Sequence, residues 1–150
     1  MVDKIEIVNP GINDFSEIFP LLRQLWPNES LNNKLDEDKM KKVFQIGLNS
    51  PNQYFLIAKY SDRIVGYVSL TIKNDLWQGG NLGQIDELVV DREFRRKGIG
   101  SKLMDEMIKE AKNRLCKEAE LISGFDRKEA QEYHVSQGFQ RKAYVFRKKI

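Results

Sequence analysis

The feature that most constrains this chain is a run of β-forming residues that passes through a basic, glycine-bearing turn straight into an amphipathic helix. Gln84 to Val90 reads as a strand. Arg95-Arg96-Lys97-Gly98-Ile99-Gly100 follows, and Ile99, Leu103, Met107, Ala111 and Leu115 then recur at the spacing of one helical face. A helix joined so closely to a strand packs back on the sheet that strand belongs to. Its first turn has unpaired backbone N–H groups and the positive end of the helix dipole, which attract anions, and glycines let a phosphate approach the backbone. Three adjacent basic side chains add charge there, so the segment predicts a phosphorylated ligand at the helix start. Two other phosphate loops fail on residues. The chain has no glycine followed four residues later by Gly-Lys-Ser/Thr, and a dinucleotide fingerprint needs a third glycine where Leu103 stands.

The remaining elements surround this one. Val2 to Val8 alternates as a half-buried strand and stops at Asn9-Pro10-Gly11. From Asp14, Phe15, Ile18, Phe19, Leu22 and Leu25 repeat at helical spacing until Pro27, with Pro20 marking a kink or a division into two helices. A second helix runs from about Asp36 with Met40, Val43, Phe44 and Leu48 on one side, and Asn49-Ser50-Pro51 stops it. Tyr54 to Lys59 and Ile64 to Ile72 form a hairpin, and Asn74 to Asn81 is a loop that exposes Trp77. Ala119 to Ile122 reads as a buried strand, Lys128 to Gln137 as a short helix and Ala143 to Lys149 as a closing strand. The expected architecture is α/β or α+β: one domain over residues 1 to 150, with a mixed sheet and helices on both faces.

With 150 residues and 41% apolar content the chain can bury a core, and no apolar run approaches the roughly 18 residues of a membrane helix. Its start interleaves charged and apolar residues, unlike a signal peptide, so a cytoplasmic protein without a membrane partner is expected. One cysteine and one histidine exclude an intrachain disulfide and a Cys/His metal cluster, and no motif calls for a metal. The net charge of +3 does not by itself imply nucleic acid, but residues 1 to 40 hold eight acids against four bases, and residues 141 to 150 hold five bases and no acid. An acidic front and a basic back suit a cationic substrate beside an anionic cofactor, or are simply solvated faces.

Arg95-Arg96-Lys97-Gly98-Ile99-Gly100 matches the Arg/Gln-x-x-Gly-x-Gly/Ala signature of the GCN5-related N-acetyltransferase (GNAT) superfamily, and the Leu-Val-Val before it resembles that family's fourth strand. Ala130-Gln131-Glu132-Tyr133-His134-Val135-Ser136-Gln137-Gly138-Phe139 is similar to its late helix, Ala-x-x-Phe-Tyr-x-x-x-Gly-Phe. The resemblance implies the acyl-CoA N-acyltransferase fold with six to seven strands. It implies acetyl-coenzyme A with its pyrophosphate on Arg95, Arg96, Lys97, Gly98, Ile99, Gly100 and Ser101, and its pantetheine along Leu88, Val89 and Val90, where the fourth and fifth strands diverge. Arg127 stands where many relatives have an asparagine that touches pantetheine, so it either holds a phosphate or is exposed.

The implied reaction is attack of an amine on the thioester. An amine with a pKa near about 10.4 must lose a proton, and a strand N–H suits the oxyanion. Asp86 and Glu87 are the nearest carboxylates. Strand alternation sends them to opposite faces, so one of them is expected to meet the substrate. Asp86 is preferred, since an acid at its place recurs in aminoglycoside-modifying members; Glu87 is the second choice, and Gln84 stands where several members have their catalytic glutamate. His134 occupies the place of the tyrosine that protonates coenzyme A, and Tyr133, in a phenylalanine slot, is the stand-in. Leu25-Trp26-Pro27, the loop from Ile72 to Gly79 and Phe146-Arg147-Lys148 are similar to segments of aminoglycoside N-acetyltransferases, so Trp26, Asp75 and Trp77 are expected at the acceptor cleft. The acceptor stays open among small-molecule amines, polyamines and peptides, as does a homodimer through the last strand. The alternative to an enzyme is an acetyl-coenzyme A sensor, or a nucleic-acid module using Arg141, Lys142, Arg147, Lys148 and Lys149, although the basic motif lacks interleaved aromatics.

Overall fold

The structure is a computed structural model and describes residues 4–31 and 33–150; Val2 and Asp3 of the expected first strand lie outside the described residues. Five strands, β1 (Ile5–Val8), β2 (Gln53–Tyr60), β3 (Arg63–Asp75), β4 (Gly80–Val90) and β5 (Cys116–Leu121), form one sheet in that order. The first four pair antiparallel, and β5 pairs parallel to β4. Helices α1 (Phe15–Leu25), α2 (Pro27–Leu31) and α3 (Glu37–Leu48) separate β1 from β2, α4 (Ile99–Asn113) makes the crossover that a parallel pair requires, and α5 (Lys128–Ser136) follows β5.

Helices do cover both faces. Val68, Leu70, Ile72 and Ile85 pack against Leu103, Met104 and Met107 of α4, while Ile57, Tyr67 and Val89 pack against Phe15, Ile18, Leu22 and Leu25 of α1 and Phe44 of α3. Pro20 neither divides nor ends α1, whose buried stripe from Phe15 to Leu25 outweighs the missing hydrogen bond, and Pro27 opens α2 because a first helical turn has no use for its absent N–H.

The sheet has five strands among the described residues, fewer than the six to seven expected. Ala143 to Lys149 alternates like a strand but pairs with nothing, and residues 140 to 150 are exposed. Alternation marks a residue pattern that would suit a sheet; it does not supply the neighbouring strand.

The register between β3 and β4 breaks at one point that sets the geometry of the cleft. Val68 faces Leu88 but Leu70 faces Ile85, so β4 uses three steps where β3 uses two, and Asp86 and Glu87 together oppose Ser69. This is a β-bulge, and it shifts the alternation of β4 by one. Ile85, Leu88 and Val90 therefore face α4, whereas Val89 faces α1.

Candidate active site

The turn between β4 and α4 is braced from below. Asp91, buried at the end of β4, accepts the Glu93 N–H (2.9 Å) and an ion pair from Arg63 (3.0 Å), and Gln24 of α1 accepts the Arg92 N–H (2.9 Å). Arg95 folds back so that its Nε donates to the Val90 carbonyl (2.9 Å), and the Lys97 ammonium lies 5.6 Å from the centre of the Phe94 ring. Arg96 and Gly98 have φ of 60° and 80°. A left-handed residue just before a helix costs glycine little, so Gly98 can start α4 with its N–H groups free.

β5 stays with β4 only as far as the Ile85 and Leu121 pair. Beyond it β4 continues alone on that side. The Asp91 N–H bonds to Val65 O (2.8 Å), so by antiparallel alternation Val89 turns its N–H toward β3, while Leu88 and Val90 turn theirs into the gap. This gap opens into a cleft of about 960 Å³. Asp86, Glu87, Leu88 and Val90 line it from β4, Arg95, Arg96, Gly98, Ile99, Gly100 and Ser101 from the turn and α4, and Leu25 and Trp26 from the end of α1. Ser123, Arg127, Tyr133 and His134 close the opposite side.

The bulge overturns the expectation that Asp86 and Glu87 point to opposite faces. Both stand on the α1 side of the sheet, because two residues there occupy the space of one. Thr71 Oγ1 donates to Asp86 Oδ2 (2.5 Å) and Ser69 Oγ donates to a Glu87 carboxylate oxygen, from hydroxyls two residues apart on β3. Burial raises both carboxyl pKa values above the ordinary range, with the charge of Asp86 raising Glu87 further and the hydroxyl bonds opposing. Tyr67, buried on the same face, has its phenol pKa raised well above 10, first by burial and then by Glu87.

On α5, the Tyr133 hydroxyl lies 3.0 Å from Ser101 Oγ, at the first turn of α4. Gly138, at φ 95°, ends the helix in the left-handed conformation and turns Phe139 back against the His134 ring (5.9 Å). Burial, and then the nearby Arg127 charge, lower the His134 pKa, which favours the neutral imidazole. Two buried polar atoms at the cleft lack any partner among the described residues: His134 Nδ1 and Ser123 Oγ. Groups of this kind cost free energy unless a ligand or water completes them.

Some expected site residues are elsewhere. Asp75 and Trp77 sit at the tip of the β3–β4 hairpin, six residues and about 20 Å of strand beyond Asp86. Trp77 is 92% exposed there and does not line the cleft. The long strands carry the hairpin past the site. Val89 and Lys97 are also absent from the lining, turned to α1 and to Phe94. Ser69, Thr71 and Ser123 were missed by the motif reading, since isolated hydroxyl residues in strands carry no local signal.

Residues 15–139 match the Acetyltransferase (GNAT) family. The chain belongs to that family. It is an acetyl-CoA-dependent N-acetyltransferase, as GNAT proteins are. The aminoalkylphosphonate N-acetyltransferase of Salmonella typhimurium is 26% identical over 145 residues, covering 97% of this chain and 91% of that one. A transcriptional regulator from Bacillus halodurans superposes with a TM-score of 0.84 at 21% identity, covering 97% and 99% of the two chains. An aminoglycoside N-acetyltransferase in complex with CoA superposes at 0.82 and 19% identity, covering 97% and 94%. These two likenesses concern the fold.

The residues of the cleft fit acetyl-CoA. An acyl-CoA offers amides, a thioester and phosphates, and the cleft offers two outward strand N–H groups, two orphaned polar atoms and a cationic helix start. Among the described residues no cluster of His, Cys, Asp or Glu could hold a metal ion, and no helix is long and apolar enough to cross a membrane.

Proposed function

We propose that this GNAT enzyme, a single domain over residues 1–150, acetylates a primary amine of a small cationic molecule or peptide by direct attack on acetyl-CoA in a ternary complex. The observation that carries this reading is the paired carboxylates, Asp86 and Glu87, standing beside the gap between β4 and β5 in one cleft with the helix start. Arg96, Gly98, Ile99, Gly100 and Ser101 receive the pyrophosphate, with Arg127 across the cleft; Arg95 and Lys97 shape the turn and supply field. Leu88 and Val90 hold the pantetheine arm, and the Leu88 N–H stabilises the oxyanion. Asp86, the more exposed of the pair, takes the proton from the amine, and Glu87 is the second candidate. His134 or Tyr133 attends the leaving thiolate, which needs modest help because a thiol pKa lies near about 8.5.

Trp26 and the carboxylates define an acceptor side that favours cations. Asp75 and Trp77 have no part in it. The relatives' names make an aminoalkylphosphonate and an aminoglycoside the first acceptors to try, beside spermidine, an amino sugar, amino acids and short peptides. Thiol release from acetyl-CoA across this panel tests the proposal. Acceptor-dependent release is the expected result; none, with acetyl-CoA binding intact by calorimetry, would overturn it.

A homodimer is a second proposal, favoured by the unpaired segment after α5, where Tyr144 and Phe146 are exposed beside no partner strand.

A further inference from the structure

The β3 side of the carboxylate pair is built as specifically as the pair itself. An unpaired β-bulge leaves a backbone N–H of the extra residue without its ladder partner, and such a group needs another acceptor when buried. Here the Glu87 N–H donates to Ser69 Oγ (3.1 Å), and the same hydroxyl donates its proton to the Glu87 carboxylate. Ser69 is 2% exposed and does not line the cleft, so it acts on the site through the groups it holds, Glu87 first among them. Thr71, on the same face of β3, holds Asp86 in parallel.

We propose that Ser69 is the positioning residue of the proton-accepting carboxylates: one buried hydroxyl grips Glu87 by backbone and side chain together, which keeps Asp86 and Glu87 side by side on the acceptor side of β4. This rests on the reading of that pair as the proton acceptor.

The physical content lies in the direction of the hydroxyl bond. Ser69 Oγ already accepts from the Glu87 N–H, so its own proton is free for the carboxylate, an arrangement that favours the ionised acid. It thereby opposes the upward push of burial and of the Asp86 charge. Tyr67 of β3, whose phenol the Glu87 charge raises, faces the same side of the sheet, and Arg127 and His134 line the far side of the cleft. On α1, which packs this face through Leu21, Leu22 and Leu25, the charged residues are engaged elsewhere: Glu17 with the Ile64 N–H and Arg23 with Ser30. Losing the Ser69 hydroxyl leaves burial unopposed, and Glu87 holds its proton to higher pH.

Ser69→Ala tests this. The expected result is a fall in kcat/KM for the amine of about tenfold at neutral pH, an unchanged KM for acetyl-CoA, and a displacement of the acidic limb of the pH profile: to higher pH where Glu87 is the acceptor, and to lower pH where its added proton relieves Asp86 of a neighbouring charge. Ser69→Thr, which keeps the hydroxyl, should restore the limb. Ser69→Cys, similar in size with a much weaker donor, serves if the alanine variant does not fold, with the same displacement expected. An unmoved limb in both would overturn the proposal. Titration of the Glu87 carboxyl by 13C NMR, assigned with Glu87→Gln, separates the two claims. An upward shift in Ser69→Ala supports the grip even if Asp86→Asn and Glu87→Gln retain full activity, which would remove the base reading alone. No shift removes the grip, whatever the activities.

Discussion

Two adjacent acids on one strand ordinarily serve two faces of a sheet; a single inserted residue gives Asp86 and Glu87 to the same one. Both carboxyls then titrate above the ordinary range because burial penalises their charge. A proton-accepting base works ionised, so activity should be present above that raised value and lost as the pH falls through it. Asp86→Asn should lower turnover by about 10²- to 10⁴-fold and Glu87→Gln by less, as measured by kcat at the pH optimum. The reverse order would make Glu87 the base. The same perturbation has a thermodynamic consequence. Folded Glu87 holds a proton more tightly than the unfolded chain does, so its contribution to stability is present at low pH and declines as pH rises from the ordinary carboxylate value through the raised one. Glu87→Gln should therefore gain in Tm relative to the parent between pH 4 and pH 8. An equal difference at both would mean that the buried charge is not the cost inferred here. The residue types of the site were legible in the sequence, but their directions were not. Nothing local to Asp86-Glu87 announces a bulge whose hydrogen bonds come from Ser69 on another strand.

At the scale of elements, the strand, basic turn and helix from Gln84 to Asn113 were legible because patterning, charge and glycine placement agree within thirty consecutive residues. The helix start is the part most open to direct test. A Cβ at Gly100 would meet Val90 Cγ2 at 3.6 Å and the Tyr133 hydroxyl at 3.7 Å, ordinary contacts, so a side chain there is tolerated by the fold. Gly100→Asp should accordingly leave the circular dichroism spectrum unchanged while weakening acetyl-CoA binding by at least about tenfold in calorimetry, since it puts a negative charge where the helix dipole attracts phosphate. Unchanged affinity would place the pyrophosphate elsewhere. Strand length was the least legible quantity. Asn74 to Asn81 reads as a loop near the acceptor because of its glycines and Trp77, yet pairing continues to Asp75 and Gly80. The extra paired residues carry the tryptophan away from the cleft.

At the scale of the molecule, one mixed sheet with helices on both faces was readable from the order of elements, whereas the number of strands was not. The segment from Ala143 to Lys149 has the alternation of a strand, and its Phe146 is 93% exposed. If that segment joins two copies, light scattering after size exclusion should report a dimer that Phe146→Glu converts to a monomer; a parent protein that is already monomeric would remove the homodimer proposal. The cleft explains the chemistry without it, because the β4 edge, the start of α4 and the paired acids all come from one chain. On the proposed reading two substrates of opposite charge meet across the gap that β5 leaves, the acyl donor along the Leu88 and Val90 N–H groups and the amine beside Asp86 and Glu87. Initial rates over a grid of acetyl-CoA and amine concentrations test that meeting most directly. Direct transfer within a ternary complex predicts double-reciprocal lines that intersect; parallel lines, the pattern of an acetylated enzyme formed before the amine binds, would contradict it.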